Sequence, residues 1–396
     1  MRWPIAWLIT AAIAISYLDR QTLPVAIAAI QREIPVSNTQ FSQLQAAFLI
    51  AYAVMYAAGG KLMDLWGTRM GFAVIMVAWS AACAGHGLAT AFLGLAVCRF
   101  LLGMGEGGGF PAATKAVAEW FPVAQRSTAM GMINAGTAVG AVIAPPAIAG
   151  IIGLWNWRWV FFITGLAGIV WTWFWWRMYF TPAAAEETAE ATPWLRLLAM
   201  RQVVGLVCAK FLSDAAWYFY LFWLPKYLYD VRGFDTRQLG AYAWIPYAAA
   251  GFGSLLGGWF SSRLLNSGAS VNKARKVALG LSAACMPWIF FVTQSPVELA
   301  LVLFSLAFCG QQSWSTLVMT LPADLFPRST VGAVAGLVGF GGAMGGVVFG
   351  LVVGRLLDAG AGYQPVFAMV SLMHVTAFGV ILAAIPRVEA VAGRQN

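Results

Sequence analysis

Four ionisable residues stand inside stretches that are otherwise apolar: Asp19 and Arg20 in the first stretch, Arg99 and Glu106 in the fourth. A charge at the centre of a bilayer costs at least a few kcal/mol, so such groups are rare and functional by default. Tyr17 and Arg20 lie three residues apart and share one helix face, whereas Asp19 points about 100° away from Arg20. Arg99, Gly103, Glu106 and Phe110 form one stripe at i, i+4, i+7 and i+11. The planar fork of Arg20 suits two parallel hydrogen bonds to a substrate carboxylate. Asp19 and Glu106 are the expected proton carriers, because a low-dielectric surrounding disfavours a charged carboxylate. Arg99 is expected to hold the charge of Glu106 when that acid is ionised. A reading without transport chemistry makes Asp19–Arg20 and Arg99–Glu106 structural ion pairs, yet buried pairs are a poor source of stability.

Neutral polar residues extend this set. Tyr52 and Tyr56 are one helical turn apart and offer hydroxyls to a polyol. Gln311, Gln312, Ser313, Trp314, Ser315 and Thr316 form a polar run suited to hydroxyl recognition. For each of these, bonding between helices is the competing reading. Lys210 and Asp214 are spaced i, i+4 and read as a structural salt bridge. His86 and His374 are isolated and read as structural.

The elements that must position these residues are membrane helices. Of 396 residues, 61% are hydrophobic and 10% charged, far from the balance of ordinary globular chains. Apolar stretches long enough to span a bilayer recur near 5–29, 40–62, 70–90, 93–118, 128–150 and 158–180. They return near 203–225, 238–262, 275–295, 297–321, 330–354 and 364–386, twelve in all. The first stretch is not a cleavable signal: it is long, lacks a small-residue cleavage site and carries Asp19 and Arg20. With both termini in the cytoplasm, fifteen of the 24 Lys and Arg fall on that side and six outside. This is the positive-inside bias of an inserted protein, so the net charge of +9 does not point to nucleic acid. The five cysteines show no paired or metal spacing. Neither a metal nor a cofactor is expected. Gly103-Met-Gly105-Glu-Gly-Gly108 fits the dinucleotide pattern G-x-G-x-x-G, but no strand precedes it. No nucleophile–base pairing or phosphate loop supports an enzyme.

The chain divides at Thr181–Thr192, a polar, acidic segment. The expected plan is an N-terminal six-helix bundle over 1–180, a cytoplasmic linker over 181–201 and a C-terminal six-helix bundle over 202–396. Glu119-Trp-Phe-Pro with Arg126-Ser-Thr repeats as Asp324-Leu-Phe-Pro with Arg328-Ser-Thr, and Gly59-Gly60 repeats as Gly257-Gly258. Two parallel bundles of this kind place a transported substrate near the bilayer midplane. Between the second and third stretches, Asp64 and Arg69 sit in Gly60-Lys-Leu-Met-Asp64-Leu-Trp-Gly67-Thr-Arg69. There they are expected to gate one side by bonding to a neighbouring bundle or a helix end. Gly67 permits the tight turn.

That loop resembles the signature G-x-L-x-D-R-x-G-x-R of the major facilitator superfamily, with Leu65 where a basic residue usually stands. The stretches YLDRQTLPVA (17–26), RFLLGMGEGGGFPAATKAVAEWFP (99–122), FLSDAAWYFYLFWLPKYL (211–228) and GQQSWSTLVMTLPADLFPRSTVG (310–332) resemble the anion:cation symporters, most of all their hexuronate transporters. The resemblance implies an all-α major facilitator fold and proton-coupled import of a small organic anion such as glucuronate or galacturonate. It places the chain in a bacterial inner membrane, working as a monomer with protons and the lipid bilayer as its other partners. It implies that Arg20, Tyr17 and Tyr52 face the substrate, that Asp19 and Glu106 couple to protons, and that Thr137 stands where sugar-acid relatives carry a substrate glutamine. Hexuronate-type sequences read GEAGNFP and NSGTNVGA; here Gly109 and Ala138 replace the two asparagines. These two positions are expected to set specificity, with Asn134, Thr137 and Gln311 as neighbours able to compensate. The alternatives are a different carboxylate, another sugar acid or an aromatic one, or a ligand-sensing membrane protein, which would need a larger output surface than these short loops.

Overall fold

The computed structural model describes residues 2–181, 194–326 and 328–389. The heart of the expected linker, residues 182–193, lies outside the described residues. Among the described residues all regular structure is helical. The helices are α1 (Arg2–Ile30), α2 (Asn38–His86), α3 (Phe92–Gly107), α4 (Gly109–Trp120), α5 (Val123–Leu154), α6 (Trp157–Met178) and α7 (Trp194–Leu198). They continue as α8 (Arg201–Asp230), α9 (Thr236–Tyr242), α10 (Trp244–Asn266), α11 (Val271–Ala284), α12 (Val297–Leu325), α13 (Arg328–Asp358) and α14 (Gln364–Ala384). A 3₁₀ helix, Pro287–Gln294, follows α11.

Each of the twelve expected spans falls on helix, but proline and glycine divide several of them. The second and third spans form one 49-residue run, α2, broken at Gly67, whose φ of 73° and ψ of 152° belong to glycine. The fourth span is two helices, α3 and α4, because Pro111 has no N–H to return to the carbonyl of Gly107. Pro246 divides the eighth span between α9 and α10 by the same means, and Pro287 turns the end of the ninth into the 3₁₀ helix. Among the described residues, eight helical stretches are long and apolar enough to cross a membrane. The remaining spans fall on α1, the first part of α2, α3–α4 and α9–α10. Of these, α1 and α3–α4 carry the four ionisable residues.

The chain forms two compact units. The first comprises Met1–Glu187, Phe219–Tyr247 and Gly350–Asp358; the second comprises Thr188–Tyr218, Ala248–Phe349 and Ala359–Asn396. In the first unit α2 packs on α3 and α6, and α1 packs on α5. Small residues allow this closeness, as they do between membrane helices generally. A Cβ at Gly103 would stand 2.2 Å from the carbonyl oxygen of Phe48, and one at Gly140 would stand 2.2 Å from that of Ala14. In the second unit Gly345 meets the carbonyl of Phe211 in the same way, at 1.9 Å. The start of α2 is tied down twice. Ser37 and Gln40 form a capping box. Asp358 accepts from the backbone N–H of Asn38 at 3.0 Å and of Thr39 at 2.7 Å, where a helix leaves donors free and favours negative charge. Beyond the end of α1, Arg158 and Trp157 donate to Glu33 and hold its carboxyl below the usual range.

Close helix contact makes one prediction simple. Gly103→Ala puts a methyl group against a backbone that has no room to move, and should destabilise the protein by about 1–3 kcal/mol. Gly150→Ala, on α5 with nothing within 4 Å of the new Cβ, should leave it unchanged. Thermal unfolding of the two variants in detergent checks the contrast.

Candidate functional site

Three helices of the first unit bring the charged residues together. On α1, Ser16 and Arg20 are one turn apart and face the same way. On α3, Glu106 comes opposite them. Arg20 Nε donates to Glu106 Oε2 at 2.6 Å, and Ser16 Oγ donates to the same oxygen at 2.7 Å. Arg20 is 2% exposed and Glu106 is 1% exposed, so the pair is shielded from water on all sides. The guanidinium lies 4.5 Å over the ring of Tyr17 and 4.5 Å over that of Tyr52. Aromatic faces attract a desolvated cation, and a guanidinium stacked on them bonds through its edge, in its own plane. Tyr52 stacks in turn on Phe48 and lies 5.8 Å from Tyr56.

Arg99 acts on Glu106 through its charge, but its described hydrogen bonds go elsewhere, not to the carboxylate that shares its stripe. Seven residues along a helix are about 10.5 Å of rise, beyond what two side chains on one helix bridge easily. Arg99 instead donates to Gln45 Oε1 at 2.9 Å and to the backbone carbonyl of Arg20 at 3.1 Å. That carbonyl is available because Pro24, four residues on and inside α1, has no N–H to bond it. Two other prolines act alike. Pro145 leaves the carbonyl of Ala141 to Gln21 Nε2, at 3.2 Å, and Pro225 leaves that of Leu221 to Tyr247 OH, at 3.1 Å.

Asp19 faces away from Arg20, as its helical position requires. It is fully buried, and Oδ1 accepts a bond from Cys83 Sγ at 3.5 Å, while Cys83 also meets Thr164 at 3.2 Å. Asp19 Oδ2, Glu106 Oε1 and Arg99 Nη1 have no partner among the described residues. Buried polar atoms are nearly always bonded, so these exceptions make the region a candidate site.

The neutral candidates divide. Thr137 Oγ1 donates to the carbonyl of Asn134 at 2.7 Å, and Asn134 is exposed. A Cβ at Gly109 would meet Trp79 at 3.6 Å and Ile13 at 3.9 Å, ordinary contact distances. Ala138 is half-buried. Trp314 is fully buried in the core of the second unit with Leu317, Leu321 and Val334, and takes a packing position. His374 is not isolated: its Nε2 bonds Gln311 Oε1, and Gln311 Nε2 reaches Asp214. Lys210 and Asp214 form the expected salt bridge, at 2.8 Å. His86 is held by the carbonyls of Ala82 and Cys83 and stacks on Phe161.

At the loop between spans two and three, the side chain of Asp64 lies outside the described residues. Arg69 Nη2 donates to the carbonyl of Trp176 at 2.7 Å, near the end of α6, where a helix favours a cation. Thr68 and Tyr179 both donate to Glu119. In the second unit the repeated acid, Asp324, accepts from Arg275 through both oxygens, at 2.7 and 3.4 Å. The repeated acids Glu119 and Asp324 therefore tie down matching helix ends.

The sequence profile of the Major Facilitator Superfamily matches residues 9–350. The chain belongs to the major facilitator superfamily. Among its relatives in that superfamily, a hexuronate transporter of Escherichia coli (strain K12) is 30% identical over 94% of this chain and 91% of its own. A probable sulfoacetate transporter of Cupriavidus necator is 31% identical over 88% of this chain and 86% of its own. Among solved structures, a D-xylose-proton symporter superposes with a TM-score of 0.77 at 14% identity over 98% of both chains, a likeness of fold. The protein is thus a multi-pass membrane transporter and not an enzyme.

Ser16, Gln45, Cys83 and Thr164 were not among the residues singled out from the sequence. Only Ser16 carried a signal, its i, i+4 spacing to Arg20; the others are brought in by helix crossing. The proline-freed carbonyl supplies a test. Pro24→Ala restores an N–H beside the carbonyl of Arg20 and straightens α1. Replacing proline inside a helix ordinarily stabilises by up to about 3 kcal/mol; here that gain should be lost, because the buried guanidinium of Arg99 gives up an acceptor. A variant with a clearly raised melting temperature and unchanged transport would show that the freed carbonyl plays no part.

Proposed function

We propose that the protein is a proton-coupled symporter importing a sugar acid, a hexuronate first among candidates, by alternating access between an N-terminal bundle over 1–180 and a C-terminal bundle over 202–396. The observation that carries the reading is the Arg20–Glu106 pair, buried between Tyr17 and Tyr52. While Glu106 is ionised it occupies the fork of Arg20. A proton on Glu106 cancels that attraction and frees the guanidinium for a substrate carboxylate, so anion and proton enter together. Asp19, held by Cys83 on another face of α1, is the second proton carrier, and Arg99 steadies the site through Gln45 and the backbone of Arg20. The kinship with a hexuronate transporter supports the choice of substrate. Tyr52, Tyr56, Thr137 and Asn134 offer hydroxyl contacts, and Asp64 with Arg69 gates one side. The setting is a bacterial inner membrane with both termini cytoplasmic, and the working unit is the monomer.

A different carboxylate is the second reading, favoured by Gly109 and Ala138 in place of amides and by the kinship with a probable sulfoacetate transporter. Each uncharged hydrogen bond to a polyol is worth about 0.5–1.5 kcal/mol, so losing two costs a hexuronate roughly tenfold in affinity or more. The double variant Gly109→Asn with Ala138→Asn should recover that preference. Competition against a panel of sugar acids and aromatic acids reads it, and an unmoved ranking in a folded variant removes these positions from specificity.

Coupling is tested in proteoliposomes loaded at neutral pH and placed in acidic medium. The wild type should accumulate labelled galacturonate under the imposed gradient. Glu106→Gln, which mimics the protonated acid, should still exchange substrate but no longer accumulate it. Arg20→Lys, which keeps the charge and loses the fork, should bind at least tenfold more weakly. Gradient-driven accumulation by the glutamine variant would exclude Glu106 as the coupling group.

A further inference from the structure

The second unit holds a polar cluster that the coupling scheme leaves without a role. Lys210 Nζ donates to Asp214 Oδ1 at 2.8 Å, one turn along α8, and to Ser315 Oγ on α12, also at 2.8 Å. Gln311 Nε2, from α12, reaches the same Asp214 oxygen at 3.4 Å, and His374 on α14 bonds the other end of that amide. On the α13 side Gly342 leaves room for the carboxylate: a Cβ there would stand 2.2 Å from Asp214 Oδ2. Two helices thus supply groups that orient an ion pair on a third, and a fourth gives way to it.

An ion pair kept only for structure has little to recommend it here. In a buried setting, apolar residues of similar volume are as stable or more so. Buttressing by an amide and an imidazole fixes the direction of Asp214, which a purely structural pair does not require. Neither side chain is sealed off, Lys210 keeping 8% and Asp214 10% of its exposure. Two of the three ammonium protons go to Asp214 and Ser315, and Asp214 Oδ2 takes part in none of these bonds.

The chemistry of the pair selects its ligand. Its net charge is zero, so it does not attract a second anion. It presents a donor beside an acceptor, and a hydroxyl is both at once. We propose that Lys210 and Asp214 bind neighbouring hydroxyls of a polyhydroxylated acid, Lys210 donating to one oxygen and Asp214 accepting from the next. Gln311 and His374 are positioning residues that hold Asp214 in register. This inference rests on the sugar-acid reading above.

The test compares galacturonate with tetrahydropyran-2-carboxylate, which keeps the ring and the carboxylate but lacks the hydroxyls, on the full-length protein in detergent. The variant is Lys210→Met with Asp214→Leu, which removes both charges and strands neither. Its affinity for galacturonate should fall about tenfold or more, while that for the analogue stays within twofold, so the preference between them collapses. An unchanged preference in this folded variant overturns the proposal and leaves the pair a packing feature. Should the apolar pair fail to fold, Lys210→Gln with Asp214→Asn keeps the shapes and removes the charges, and the same ratio decides. A wild type that binds neither galacturonate nor any other sugar acid overturns the sugar-acid reading itself. A wild type that prefers galacturonate, with a variant that prefers it equally, overturns only the role of Lys210 and Asp214.

Discussion

The hydrocarbon core of a bilayer contains no water, so a polar group placed there has to find its partner inside the protein. Proline sharpens that demand, because each one inside a helix leaves a carbonyl four residues back without its usual donor. In this transporter three such carbonyls are answered by side chains: Arg20 by Arg99, Ala141 by Gln21 and Leu221 by Tyr247. Pro24 and Pro225, and with them their two carbonyls, stand about 200 residues apart, the same interval that separates Glu119 from Asp324. A helix breaker therefore serves as an attachment point for a neighbouring helix. At Arg20 the attachment also places a second guanidinium beside the residue proposed to bind substrate.

The same scarcity of water shapes the charged cluster. Two arginines and two carboxylic acids are gathered in one buried region, yet they are not bonded as two simple pairs. Arg20 and Glu106 satisfy each other in part, Arg99 bonds neutral acceptors, and Asp19 accepts from neutral donors, a thiol among them. A cluster organised for stability would close these gaps, since an uncompensated buried charge is costly. Incomplete satisfaction suits a site whose occupants change, because a proton or an anion can then alter which bonds are made. The aromatic faces of Tyr17 and Tyr52 hold Arg20 without consuming its hydrogen bonds, so the guanidinium stays in position whichever partner it takes.

Small residues set the geometry within which these bonds form. Gly103 lets α3 approach the backbone of α2, and Gly140 lets α5 approach that of α1. With a larger residue at either place, the helix carrying Glu106 or the one behind Tyr17 would stand further off, and a 2.6 Å contact would not survive the shift. Gly345 repeats the device in the second unit, where α13 meets α8 beside the Lys210–Asp214 pair.

Much of this protein was legible in its sequence, because inserting a helix into a membrane is a local matter. A run of apolar residues declares its own span, and an aspartate or arginine inside such a run declares its own cost; Asp19, Arg20, Arg99 and Glu106 were all found in this way. Which partner each of them takes was not legible. Arg99 and Glu106 share a stripe and looked like a pair, but the placing of α1 lets Arg20 reach Glu106 across the bundle. Gln45, Cys83, Thr164 and His374 carry no special spacing and enter only through contacts 50 or more residues away in sequence. Trp314 looked like a ligand among polar neighbours, and the packing of its helix turns it into the core. The sequence by itself determined the spans, the repeat and the inventory of charges, since each follows from the free energy of single residues in lipid. Only the tertiary structure decided the pairings, since they depend on the distance and angle between helices, which no local pattern records.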